Sequence, residues 1–150
     1  MDYSIRENFQ ITLYGVPGVA VNREWGKTGM ELMNTLWKEV KGRQLPNKGI
    51  NVWVYEPGNA MYAGVELMAP PGEGSILERK ELLLTKYIYY KHIGPYERRA
   101  DSFQRLSEEF RQVGIQTGLP YLEIYGHWTE DASKLETELL WSLASTDSRS

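Results

Sequence analysis

The stretch LLLTKYIYYKHIGPYERR, Leu82–Arg99, decides the fold. Its apolar run predicts a strand over Leu82–His92, Gly94-Pro95 a turn, and the residues that follow a helix. From Arg98 to Val113 the large apolar residues Phe103, Leu106, Phe110 and Val113 step by three, four and three, one face of a 3.6-residue period. Downstream, Pro120–Tyr125 and Leu135–Leu143 alternate as strands on either side of a polar turn at Asp131. The order is β-α-β-β.

Upstream the same order recurs. Gly18–Arg23 is expected as a strand, Gly26 as a turn, and Thr28–Lys41 as a helix with Met30, Met33, Trp37 and Val40 on one face. Strands over Ile50–Tyr55 and Met61–Met68 then flank a turn at Pro57-Gly58. Gly26 and Gly94, Val54-Tyr55 and Ile124-Tyr125, Glu66 and Glu138, and Met30 and Phe103 stand 68, 70, 72 and 73 residues apart, in the same chain order. The expected fold is therefore α+β: a tandem, pseudo-symmetric βαββ repeat with two helices on one face of an antiparallel sheet and a ligand groove on the other. One domain spans 1–150, with halves at about 8–68 and 78–144, a turn-rich connector at Ala69-Pro-Pro-Gly-Glu-Gly-Ser75, and a frayed tail at 145–150.

A chain of 150 residues can bury a core without covalent staples, and it has no Cys to supply them. There is no basic leader followed by an apolar segment and no span of membrane length, so the expected setting is cytoplasmic, with no membrane partner. Seventeen basic against twenty acidic residues give a net charge of -3, the wrong sign for gripping a phosphate backbone, so no direct nucleic-acid partner is expected.

Ten Tyr and five Trp against three Phe form a skewed aromatic set whose polar tips want partners. Strand parity distributes them. Val52 and Val54 alternate with Trp53 and Tyr55; Leu122 and Ile124 with Tyr121, Glu123 and Tyr125; Ala63, Val65 and Leu67 with Tyr62, Glu66 and Met68. In the last strand Leu135, Leu139 and Trp141 alternate with Glu136, Glu138 and Leu140. With the aliphatic sets given to the helices, the opposite face holds Trp53, Tyr55, Tyr62, Tyr121 and Tyr125 around Glu66 and Glu138. Aromatic walls around a carboxylate suit a lipophilic aromatic or cationic small molecule. They equally suit a homodimer seam.

Tyr87-Ile-Tyr-Tyr-Lys-His-Ile-Gly-Pro-Tyr-Glu97, the helix after it, Leu119-Pro-Tyr-Leu-Glu-Ile-Tyr125 and Leu135-Glu-Thr-Glu-Leu-Leu-Trp-Ser-Leu143 together resemble the GyrI-like family, effector-binding domains of bacterial transcription regulators with a SOUL-like fold. The resemblance implies multidrug binding by a stand-alone member, alone or with a separate regulator protein. It implies a central ligand contact at Glu138, with Glu66 its counterpart and Trp53, Tyr55, Tyr62, Tyr90, Tyr121, Tyr125 and Leu140 around the ligand. Where the family's last strand usually carries Tyr and Pro, this chain has Leu140 and Ser142.

Some members hydrolyse cyclopropane-containing genotoxins. On that alternative Glu138 activates water, with Tyr55 or Tyr90 as the proton donor. A gyrase-modulating interaction protein is a further alternative the family name implies. No cofactor and no metal is expected: His92 and His127 lack ligand spacing, and His92 reads as the polar end of a strand rather than a haem ligand.

Overall fold

The computed structural model describes residues 2–127 and 129–143; the tail expected at 145–150 lies outside them. Six strands and two long helices follow in the order β1 (Ser4–Val19), α1 (Trp25–Gly42), β2 (Asn51–Glu56), β3 (Ala60–Val65), β4 (Glu78–Ile93), α2 (Arg99–Val113), β5 (Thr117–Tyr125) and β6 (Glu136–Leu143). The spatial order is β1-β3-β2-β5-β6-β4, every neighbouring pair is antiparallel, and β4 returns to β1, so the sheet closes into a barrel. The chain thus has the α+β fold expected of a GyrI-like domain. Within each half the strand order is the same, β1-β3-β2 and β4-β6-β5, and the halves meet along β2–β5 and β1–β4.

The first strand is the largest departure from expectation. It lies at Ser4–Val19, and Val21–Arg23 is a 3-10 turn. Polar side chains hide it: Ser4 through Asn8 are exposed, so the strand carries no apolar alternation until Phe9. Backbone pairing with β4 from Ser4 to Gly15 holds it instead.

Barrel closure also inverts one assignment of faces. Leu13, Val52, Val54, Tyr62, Leu82, Leu84, Tyr87, Leu122 and Leu140 form a single buried cluster with members from all six strands and none from a helix. This is the barrel interior. The aliphatic sides of β2 and β5, expected to meet the helices, point inward, because a narrow six-stranded barrel is filled by its own side chains. The helices instead cover the outer face that carries Trp53, Tyr121, Tyr125, Leu139 and Trp141. Among the described residues the sheet side turned away from the helices is this filled interior, not an open groove.

Helix α1 packs on β1 and β3, its Leu36 and Val40 against Val65 and Leu77. At Gly29 it lies so close to the sheet that an added Cβ would sit 2.3 Å from the Trp53 ring. Helix α2 lays Leu106 and Phe110 on Ile88, Leu139 and Trp141 and ends at Gly114, whose φ of 80° makes a left-handed stop that glycine adopts without strain. The expected stripes shift at their ends: Met30 and Val113 are exposed, and Gly29 and Leu36 take the buried positions on α1. No helix among the described residues is long and apolar enough to cross a membrane.

Candidate functional site

The two helices sit toward opposite sides of the outer face and leave the β2–β5 seam between them. Across this seam Trp53 pairs with Glu123 and Tyr55 with Tyr121 in register. Alternation along β5 therefore brings Tyr121, Glu123 and Tyr125 to the same outer face as Tyr55.

Glu123 is 5 % exposed and lies at the centre of this group. Its Oε1 accepts from the Tyr55 hydroxyl at 2.8 Å, the Tyr125 hydroxyl at 2.6 Å and Arg99 Nε at 3.1 Å; its Oε2 accepts from the Tyr121 hydroxyl at 2.9 Å. Three of the four donors fall on Oε1 and one on Oε2, so the carboxylate is heavily engaged, with one acceptor position left on Oε2. A buried charge without partners would cost several kcal/mol, and this set of donors together with a guanidinium is the arrangement that offsets such a cost.

The tyrosines respond to the same burial. Desolvation and then the neighbouring Glu123 charge push Tyr55, Tyr121 and Tyr125 well above the ordinary value of 10.0, so all three stay protonated donors. Burial, the largest single influence, would lower the Arg99 guanidinium, but the Glu123 charge and hydrogen bond together with Tyr125 and Tyr55 outweigh it and raise it above its usual value. Arg99 is fixed further by donating from Nη1 to the Tyr96 carbonyl at 3.0 Å.

Above this floor opens a cleft of about 570 Å³, a size suited to a small organic ligand. Trp25, Tyr55, Phe103, Tyr121 and Trp141 supply aromatic walls, while Asn59, Gln104 and Ser107 supply polar groups. Tyr121 is the hub of the ring set, 5.3 Å from Tyr55, 5.0 Å from Phe103 and 5.2 Å from Trp141 between centroids. Such spacings are those of mutually packed aromatics.

The site residues expected from sequence fall into two groups. Tyr55 and Tyr121 line the cleft, and Tyr125 reaches it through Glu123. The others stand elsewhere. Trp53 is buried beneath Gly29 of α1. Tyr62 lies in the barrel interior and donates to the Glu78 carbonyl at 2.6 Å, and Leu140 joins it there. Tyr90 packs at the edge of the α2 core. Glu66 pairs with Lys48 at 3.3 Å on the surface.

Glu138 stands opposite Ile124, on the inward-facing side of β6, and accepts from the Tyr89 hydroxyl at 2.5 Å. It is not brought to the seam with Tyr55. The physical reason is register. Glu123 pairs with Leu139, so the residues of β6 that share its face are Leu139 and Trp141.

Glu123, Arg99, Trp25, Phe103 and Trp141 were not singled out by the sequence. For Glu123 a signal existed, since it shares the parity of Tyr121 and Tyr125 in one strand. Arg99 had none, because its partner is 24 residues away in sequence. His92 is a latch: Nδ1 lies 2.9 Å from Ser102 Oγ and Nε2 lies 3.1 Å from the Pro95 carbonyl, tying β4 to α2.

No family model matches the sequence, and no curated protein matches it significantly. Solved structures do. The structure of SAV2435 bound to tetraphenylphosphonium is similar at a TM-score of 0.66 and 15 % identity, covering 99 % of this chain and 98 % of that one. The EcmrR C-terminal domain gives a TM-score of 0.72 at 14 % identity over 97 % of this chain and 98 % of that one. A hydrolase from Listeria innocua gives 0.59 at 9 % identity over 95 % and 91 %. At these identities the likeness is one of fold.

Proposed function

We propose that this chain binds a small lipophilic aromatic molecule in the cleft over the β2–β5 seam, as a sensing or sequestering domain. The observation that carries this reading is the Glu123 carboxylate, held by three tyrosine hydroxyls and Arg99, at the floor of an aromatic-walled cleft. A floor of that kind holds the tyrosine rings in fixed orientations, so that a flat ligand meets walls already in place. The fold shared with SAV2435, whose structure is bound to tetraphenylphosphonium, a bulky aromatic cation, supports it.

A second reading is hydrolysis, favoured by the buried carboxylate beside the Tyr55 hydroxyl and by the fold shared with a hydrolase. Activation of water needs a free lone pair on the base. Glu123 keeps one on Oε2, which accepts only from Tyr121, but the Arg99 guanidinium already balances its charge, so binding without turnover is taken as the first reading.

The test is calorimetric titration with a panel of lipophilic aromatic dyes, on the wild type and on Ala100→Trp, which fills the cleft from the exposed side of α2. Saturable binding that the bulky variant abolishes, with ligand recovered unaltered, is the expected result. Binding that persists unchanged in a folded variant places the ligand elsewhere, and recovery of a cleaved product favours the second reading.

A further inference from the structure

We propose that the cleft selects aromatic ligands bearing a hydrogen-bond-accepting oxygen, a carboxylate or ketone received by Arg99, over organic cations; this rests on the reading that the cleft binds a small aromatic molecule. The argument is an inventory of donors and acceptors. On the acceptor side, Glu123 is engaged by three phenolic hydroxyls and a guanidinium. The other carboxylate of the lining, Glu56, has its own cation in Lys80, 3.0 Å away. Neither acid offers an incoming cation an uncompensated charge.

Donors are in surplus. A guanidinium carries five N–H groups and accepts nothing. Arg99 engages Glu123 through Nε and the Tyr96 carbonyl through Nη1, and Nη2 has no acceptor among the described residues. The indole N–H groups of Trp25 and Trp141, both in the lining, have no acceptor among them either.

Three N–H-bearing side chains therefore surround a cavity whose two acids are neutralised. A ligand oxygen placed near Arg99 uses donors that are otherwise idle, and charge-assisted bonds of this kind are the stronger ones. A cation gains the ring faces and the neutral oxygens of Asn59, Gln104 and Ser107, with no uncompensated charge among them. To reach Glu123 it must first expel Arg99, which is three-quarters covered and held at two atoms. Glu123 thus acts as the fixed counter-ion of Arg99, which orients the guanidinium for the ligand.

The experiment compares three probes of one shape by calorimetric titration of the whole chain: 2-naphthoate, 2-acetonaphthone and 2-naphthylmethylammonium. In the wild type the naphthoate is expected to bind at least about tenfold more tightly than the ammonium, with the ketone between them. Arg99→Gln is expected to reverse the order, since it frees Glu123 for the cation. If that variant does not fold, Arg99→Lys keeps the charge, loses the planar fork, and is expected to weaken naphthoate by about tenfold.

Ammonium binding as tight as naphthoate in the wild type overturns the proposal and leaves cleft binding intact. So does naphthoate binding that is unchanged in a folded Arg99 variant. If none of the three probes saturates the wild type, the cleft-binding reading itself falls, and the ligand preference with it.

Discussion

Arg99 and Glu123 form an ion pair between the first turn of α2 and the middle of β5, with Nε 3.1 Å from Oε1 and the carboxylate side chain only 6 % exposed. The pair fastens a helix to the sheet at the floor of the cleft, so it is structural and functional at once. Removing either member leaves the other uncompensated in a poorly solvated place, a change that typically costs about 3 kcal/mol or more. Arg99→Ala is therefore expected to lower the denaturant midpoint more than Arg99→Ala combined with Glu123→Gln. Additive losses in that double-mutant cycle, measured by chemical unfolding, would show that the two side chains do not act as a pair.

Glu138 gives the complementary expectation. Its carboxylate bonds to Tyr89, whose ring lies under Arg6 at 3.6 Å, away from the cleft lining. Glu138→Gln is expected to leave the affinity for cleft ligands within about twofold of wild type, a difference below ~0.5 kcal/mol. A selective tenfold loss for cationic ligands, read by the same calorimetric titration, would instead make Glu138 a ligand contact.

Gly29 reverses an ordinary rule. Replacing an exposed helical glycine by alanine normally adds up to about 1 kcal/mol of stability. Here the new methyl would meet the Trp53 ring at 2.3 Å, and Trp53 is buried against Tyr125. Gly29→Ala is expected to destabilise by about 1–3 kcal/mol through overpacking. A raised melting temperature for this variant would mean that α1 can lift from the sheet at little cost.

The cleft tyrosines predict how the fold fails in alkali. Tyr55, Tyr121 and Tyr125 have folded values raised above the 10.0 of the unfolded chain, first by burial and then by Glu123. Their contribution to stability is full below pH 10, and it is lost as the pH climbs from there toward the folded values, because only the unfolded chain then releases the protons. Tyrosinate absorbance for these groups is expected to rise together with loss of near-ultraviolet circular dichroism, in one cooperative step. Separate, earlier ionisation of these tyrosines would show that the Glu123 cluster is open to water.

Both helices and five of the six strands can be recognised from sequence because they carry their own periodicity. In β1 the opening turn is polar and its pairing partner, β4, lies about 70 residues on, so nothing local marks it. The candidate site was half legible for a related reason. Alternation within one strand grouped Tyr121 with Tyr125 and Trp53 with Tyr55, and each pair does share a face. Phase between strands is set by register, which no single strand encodes. Val54 opposes Tyr62 and Ile124 opposes Glu138, and those two pairings move Tyr62 and Glu138 inward while leaving Glu123 on the seam.

The continuous ring of strands has a consequence for association. Because β4 returns to pair with β1, the described sheet presents no free strand edge on which a second chain could extend it. Any protein that reads the occupancy of this cleft must do so through helix surfaces or loops. The pieces best placed to carry that message are the ends of α1 and α2 that border the cavity, where a bound molecule and a docking partner would share the same few residues.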